Sequence, residues 1–318
     1  MVARGNDIQR AKQLLTTGGL VAIPTETVYG LAGNAFDPRA VASIYEVKNR
    51  PTFNPLITHT DSLQKAVRYV QAVPPLAQKL ADAFWPGPLT LLLPKSSMLP
   101  DIVTAGSDRV AVRVPQHPLT LSLLQQLDFP LAAPSANPFG YISPTNADHV
   151  QEQLGDKISY ILDGGSCSVG IESTIVGIEN NTIVIYRLGG ISVEELEKIN
   201  SKVQFNHHDA EELPAAPGML KSHYAPTKKV IIGNLVDLLP QYSHQRVGLI
   251  AFKNIFSQVP EEQQRILSGT GDLNEAAQRL FSALRQLDKL PVDVILAELV
   301  PNYGLGRAIN DRLMRASA

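Results

Sequence analysis

Cysteine is nearly absent. One cysteine, Cys167, in 318 residues excludes an internal disulfide framework and any multi-thiolate metal site. A single tryptophan and 6% aromatics leave no interleaved stacking platform for single-stranded nucleic acid. Neither sign of charge dominates: 28 basic against 30 acidic residues give a net charge of −2. A whole-chain electrostatic footprint for a polyanion is therefore missing, and any basic element must be a local pocket. No apolar run approaches the roughly 20 residues that span a bilayer. Residues 1–7 lack the apolar stretch of a signal peptide, so the sequence predicts a cytoplasmic protein without membrane contact. Three catalytic templates are missing as well: G-x-x-x-x-G-K-[ST], H-E-x-x-H and G-x-S-x-G.

What remains is an ordinary globular composition, 44% hydrophobic and 18% charged, in a chain long enough for two domains. Helical periodicity over 8–15 follows a candidate N-cap, Asp7, and stops at Gly18 and Gly19, before an apolar run over 20–23. The alternation continues. Helices are predicted from Asp37 through 47, over 76–84 and 119–127, and after a Thr145 cap; strands over 89–93, 110–114, 131–133, 160–162, 174–178 and 183–186. Ser192 and Glu195 form a capping box. Such alternation predicts an α/β fold around a mixed sheet. Between about 200 and 226 it gives way to polar residues and prolines, the best linker candidate. Strands over 229–232, 247–252 and 292–298, an Asp272-capped helix over 275–287 and a helix from about Arg307 follow. The division expected is 1–200, a linker at 201–227 and a smaller α/β domain at 228–318.

Residues 24–31, PTETVYGL, end a buried strand with hydroxyls and one carboxylate, either as a polar turn or as a pocket edge. Lys48 and Arg50, on a loop stiffened by Pro51 and Pro55 beside Asn54, complement a helix C-terminus or clamp a polyanion such as a triphosphate. His59 by itself reads as structural. Arg113, inside an apolar strand, requires a partner, which is either a protein carboxylate or a substrate carboxylate. Ser135, Asn137 and Ser143 offer neutral donors on proline-stiffened turns. Arg187 ends a strand and is a second candidate phosphate cation. Cys167 has no histidine at a catalytic spacing, and Gly304 to Arg307 lack the rest of a dinucleotide-binding unit.

Taken in order, PTETVYGL at 24–31, KNRP at 48–51, NPL at 54–56, APSAN at 133–137, GIESTIV at 170–176 and RLG at 187–189 resemble the YrdC family of threonylcarbamoyl-AMP synthases. APGM at 216–219, HYAP at 223–226 and GLGRAINDRL at 304–313 resemble its longer, two-domain form. The resemblance implies a twisted, open mixed-sheet domain with a concave basic cleft, and a small Rossmann-like α/β domain. It implies an enzyme that joins L-threonine, bicarbonate and ATP, with Mg2+, into threonylcarbamoyl-AMP and pyrophosphate. A separate tRNA threonylcarbamoyl transferase would use the product, and tRNA binding by this chain would be weak or indirect. Carried over, Thr27, His59, Arg113, Ala133 and Ser173 hold threonine. Lys48, Arg50, Asn54, Arg109, Ser135, Asn137, Ser143 and Arg187 hold ATP, with Ser222, His223 and Tyr224 closing over it from the linker. Thr25 and Tyr29 line the pocket, Lys48 and Arg50 carry the catalytic charge, and no side chain is expected to hold the metal. Ala216 departs from the serine common before PGM in the family. The competing readings are an RNA-binding module and a carbamoyl-transfer enzyme with another acceptor.

Overall fold

The protein's structure, a computed structural model, describes residues 2–206, 217 and 223–318. Two sheets organise these residues. Eleven strands in chain order build the first: β1 (Ala3–Gly5), β2 (Val21–Ile23), β3 (Gly30–Asn34), β4 (Ile57–His59), β5 (Leu89–Pro94), β6 (Arg109–Arg113), β7 (Leu131–Ala132), β8 (Tyr160–Leu162), β9 (Thr174–Glu179), β10 (Thr182–Arg187) and β11 (Val203–Phe205). Their order across the sheet is β1-β8-β2-β3-β7-β4-β6-β5-β9-β10-β11. The sheet is mixed: β4 and β6 run parallel, as do β5 and β9, while β2–β3, β5–β6 and β9–β10 are antiparallel. The second sheet comprises β12 (Lys229–Ile232), β13 (Val247–Ala251), β14 (Gln264–Ile266) and β15 (Val294–Ala297), all parallel, in the order β12-β15-β13-β14. The fold class expected from alternation is therefore the one observed, a mixed-sheet domain joined to a smaller parallel α/β unit.

Local chemistry explains most boundaries. Asp7 and Asp37 accept hydrogen bonds from the second or third helical N–H and start the helices Ile8–Thr16 and Pro38–Lys48. The latter stops where Asn49 enters the left-handed region at φ 51°. Ser192 and Glu195 satisfy each other's backbone N–H groups at the start of Val193–Ile199. One cap differs from expectation: Asn146, not Thr145, starts the helix Ala147–Leu154, its Oδ1 accepting from His149 N at 2.9 Å. The adjacent asparagine is the better cap, and Thr145 N instead donates to His149 Nδ1. The helix predicted over 275–287 runs Leu273–Lys289, and the last helix is Gly306–Ala316.

The helices Leu273–Lys289 and Gly306–Ala316 pack on the second sheet and also reach the first. One apolar cluster joins Leu280, Phe281, Leu284 and Leu313 to Val28, Ile142, Ile171 and Tyr224. At Gly170, a Cβ would lie 2.4 Å from the Gln278 backbone, so only glycine permits this approach, at φ +80°. No described helix is long and apolar enough to cross a membrane.

Candidate active site

Four strands deliver their last or next residues to one cleft. Thr25 and Thr27 follow β2; His59 ends β4, Arg113 ends β6 and Arg187 ends β10. Ser173 immediately precedes β9, and Ser135 bridges to Gly30 beyond β7. A side chain at Gly30 would press on Ala133 Cβ at 3.3 Å, so glycine keeps this wall thin. Together with Arg50, Glu172, Pro217, His223 and Tyr224 they line one cleft.

The polar groups form a connected set. Buried Arg113 donates to Glu26 Oε1 at 2.6 Å, to Thr27 Oγ1 at 2.9 Å and to the Gly87 carbonyl. The arginine thus has a protein carboxylate as its partner, and Glu26 in turn accepts from Gln116 N at 2.9 Å. Thr27 pairs with Thr25 Oγ1 at 2.8 Å. Arg187 binds the Ser173 carbonyl through Nε and Nη2, Ser173 Oγ through Nη2, and the Pro217 carbonyl through Nη1. Ser173 Oγ also meets Thr90 Oγ1 at 2.7 Å. Arg50 spends Nε and Nη2 on Asn54 and the Pro55 carbonyl, which locks the loop that the two prolines stiffen.

Three cations share this small, buried volume. Burial lowers the pKa of Arg187 and Arg50 to about 10, against the opposing effect of neighbouring tyrosines and, at Arg187, of Glu172, and burial followed by Arg50 pushes Lys48 well below its ordinary value. Lys48 Nζ donates to the carbonyls of Ser135 and Asn137, so it sits behind the turn that carries them rather than on the cleft wall. The site therefore holds positive charge it has not fully neutralised, a setting that favours an anionic ligand. His59 and His223 are neutral: burial brings each to about 3, with Arg113 adding to the effect at His59. Their Nδ1 atoms have no hydrogen-bond partner among the described residues.

The sequence expectations divide as follows. Thr25, Thr27, His59, Arg113, Ala133, Ser135, Ser173, Arg187, Arg50, His223 and Tyr224 all face the cleft. Asn54, Asn137, Ser143 and Lys48 stand directly behind it, bonded to its wall, Asn137 through its backbone N–H to the Ser135 carbonyl. Tyr29 points the other way, donating to the Gly165 carbonyl at 2.7 Å. Arg109 is a correction: it begins β6, at the end opposite Arg113, and binds Tyr186 at 2.7 Å and Glu179 at 3.3 Å. Strand direction separates it from the cleft, and it leaves the nucleotide set. Ser222 lies outside the described residues. Two acids were not singled out, Glu26 and Glu172, although both sit inside quoted motifs. Glu172 accepts from Ser143 Oγ at 2.6 Å and from Arg312 Nε at 2.8 Å, and its pKa is lowered by Arg312, Arg187 and Ser143 against the opposing effect of burial.

Among the described residues no three His, Cys, Asp or Glu side chains gather as a metal site. Among the described residues Glu172 is the one carboxylate on the cleft wall, and both its oxygens are already engaged. The described donors therefore offer a divalent cation no cage of their own.

Comparison with known proteins agrees with this geometry. The family described as telomere recombination matches residues 13–189, and the one described as the C-terminal domain of threonylcarbamoyl-AMP synthase matches 191–318. The threonylcarbamoyl-AMP synthase of Pyrococcus abyssi is 40% identical over 98% of this chain and 94% of its own length; that of Bacillus subtilis is 39% identical over 98% and 92%. The crystal structure of the P. abyssi protein complexed with L-threonine superposes with a TM-score of 0.93 at 38% identity, covering 100% of this chain and 97% of that one. The chain belongs to the YrdC family of threonylcarbamoyl-AMP synthases, nucleotidyltransferases, in its two-domain form.

Proposed function

We propose that the cleft joins L-threonine, bicarbonate and ATP into threonylcarbamoyl-AMP and pyrophosphate, with the residues divided by chemistry between its two ends. The observation that carries the reading is the convergence of buried Arg50, Arg113 and Arg187 on one cleft whose wall carboxylate, Glu172, already has its own arginine. Arg113, Thr27, His59, Ala133 and Ser173 take threonine, the guanidinium accepting the substrate carboxylate beside Glu26. A relative whose structure is described as complexed with L-threonine supports this end. Arg50, Lys48, Arg187, Asn54, Ser135, Asn137 and Ser143 take the triphosphate end, with His223 and Tyr224 above it.

The chemistry needs no covalent enzyme intermediate. Cys167 is buried, and burial raises its thiol far above neutrality, so it offers no thiolate. The threonine amine attacks the carbon of bicarbonate, forming an N–C bond and releasing water, and the product is a carbamate. A carbamate oxygen then attacks the α-phosphorus in line, the bond from that phosphorus to the bridging oxygen breaks, and pyrophosphate leaves. Lys48, Arg50 and Arg187 offset charge developing on the leaving group. Neutral His59 can accept a proton or a hydrogen bond but carries no charge at pH 7. Bound with ATP, Mg2+ would add to the charge neutralisation that Lys48, Arg50 and Arg187 supply.

We read residues 1–200 as the catalytic domain, 201–227 as a linker over the cleft and 228–318 as the second domain. The described residues Pro217, His223 and Tyr224 on the cleft wall support that place for the linker. The product is a reactive mixed anhydride, suited to a separate transferase acting on tRNA in the cytoplasm. Pyrophosphate release from ATP tests the whole reading. Release that requires both L-threonine and bicarbonate supports it; release with carbamoyl phosphate in place of both favours carbamoyl transfer instead. Tight, steeply salt-dependent tRNA binding without release favours the RNA-binding alternative.

A further inference from the structure

Arg312 lies on the helix Gly306–Ala316, packed on a sheet that shares no strand with the cleft, yet it is 0% exposed. Its donors are spread over several segments. Nε donates to Glu172 Oε2 at 2.8 Å, Nη2 to the Leu188 carbonyl at 2.8 Å, and Nη1 pairs with neighbouring Asp311. The guanidinium also covers the Tyr224 ring, 5.0 Å from its centroid. Across Glu172, the other carboxylate oxygen accepts from Ser143 Oγ at 2.6 Å. A second buried arginine, Arg285 of the helix Leu273–Lys289, donates to the carbonyls of Ile142 and Ser143.

Simple packing does not account for this choice of residues. Burying a guanidinium and a carboxylate costs more desolvation than apolar side chains of the same volume would, so such a pair is a poor way to gain stability alone. A fork with fixed geometry does what an apolar contact cannot: it ties Glu172 and the Leu188 carbonyl to one guanidinium that covers the Tyr224 ring. Leu188 directly follows Arg187, Glu172 directly precedes Ser173, and Ser143 hangs from the far oxygen of Glu172.

We propose that Arg312 is a positioning residue of the adenylylation site, through which the second domain sets Ser143, Arg187 and Tyr224 for ATP. The proposal rests on the reading that these groups meet the nucleotide. Of threonine's groups, Thr27, His59 and Arg113 have no bond to Arg312 among the described residues and lie on β4, β6 and the segment after β2, while Ser173 adjoins Glu172 and is bonded to Arg187. The inference therefore separates the two substrates by degree: ATP use depends on Arg312, and threonine, held mainly by Arg113, Thr27 and His59, depends on it far less.

The test uses the full chain and two variants. Arg312→Lys keeps the charge without the fork. The double variant Glu172→Gln with Arg312→Met removes both partners of the ion pair together, where Arg312→Met alone would leave Glu172 buried without it. Calorimetry measures ATP and L-threonine binding separately, pyrophosphate release gives kcat and KM, and thermal melting reports the folded state. Both variants are expected to melt cooperatively, to lose about ten- to a hundredfold in kcat/KM for ATP, and to keep threonine affinity within about twofold. Wild-type kcat/KM for ATP in a cooperatively melting variant overturns the proposal, as does an equal loss for both substrates, which would mean general loosening. A wild-type chain that releases no pyrophosphate with threonine and bicarbonate present refutes the enzymatic reading instead, and the ATP calorimetry still decides the role of Arg312.

Discussion

His59 and Arg113 are register partners on the parallel strands β4 and β6, so an imidazole and a guanidinium leave the sheet edge side by side. The pairing keeps His59 neutral: burial is the larger cause and the arginine the second. The proton balance of folding follows from this. The unfolded chain binds a proton at His59 near pH 6.5, the folded chain only near 3. Between these values the unfolded state holds more protons, so stability rises with pH across the window and is fully present above about 6.5. His223 behaves the same way. Each histidine contributes a slope of up to about 1.4 kcal/mol per pH unit. Urea unfolding of wild type and His59→Gln at pH 5 and pH 7 checks it: the variant is expected to lose less stability at pH 5 than wild type, and equal losses would refute the assignment.

Arg113→Lys replaces a fork that serves Glu26, Thr27 and the Gly87 carbonyl with a point charge. The expected result is a rise of about ten- to a hundredfold in KM for threonine with KM for ATP little changed. Arg113→Ala additionally leaves Glu26 buried without its cation and is expected to cost about 3–5 kcal/mol in stability. Steady-state kinetics and chemical unfolding read the two effects separately.

Arg50→Ala removes charge from the cleft wall, and Lys48→Ala removes charge from behind the turn that carries Ser135 and Asn137. Each is expected to lower kcat by about two to three orders of magnitude, with threonine binding retained. Wild-type turnover in both variants would exclude the proposed charge stabilisation.

Gly189→Ala tests a backbone contact rather than a side chain. A Cβ at this position would lie 2.3 Å from the Glu172 carbonyl oxygen and 2.4 Å from the Ser173 carbonyl carbon. Neither is a flexible group, so the turn that carries both residues must shift. A loss of about 1–3 kcal/mol in stability is expected, together with weaker use of both substrates, since Ser173 and Arg187 move together. Thermal melting beside the kinetic assay distinguishes this from a purely local loss.

The sequence made the elements with local chemistry legible. The caps Asp7, Asp37, Ser192 and Asp272 each stand where their helices begin, because a side-chain oxygen and an N–H two or three residues later are all that a cap requires. Thr145 and Asn146 show the limit, two capping residues in succession that only geometry orders. Strand β3, reading GLAGN, has neither alternation nor β-branched residues; its neighbours β2 and β7 make it a strand. The cleft itself was legible where a cation stood in or ended an apolar run, as at Arg113 and Arg187, whereas His59 read as structural until the family resemblance placed it. What was not legible is pairing across distance. Glu26 meets Arg113 from 87 positions away, and Glu172 meets Arg312 from 140. Arg109, in the same strand as Arg113, was misplaced because its end of β6 faces away from the cleft.

The last of those separations also orders events in time. A ribosome adding about 5–20 residues per second reaches Arg312 roughly 7–28 s after Glu172, the 140 intervening positions setting the delay. Once Phe205 is added, the nascent chain carries every strand of the first sheet and an acid still waiting for its cation. Assembly of the cleft is therefore among the final steps of making this protein, and a chain interrupted during the delay holds most of its catalytic residues without the arginine that aligns them.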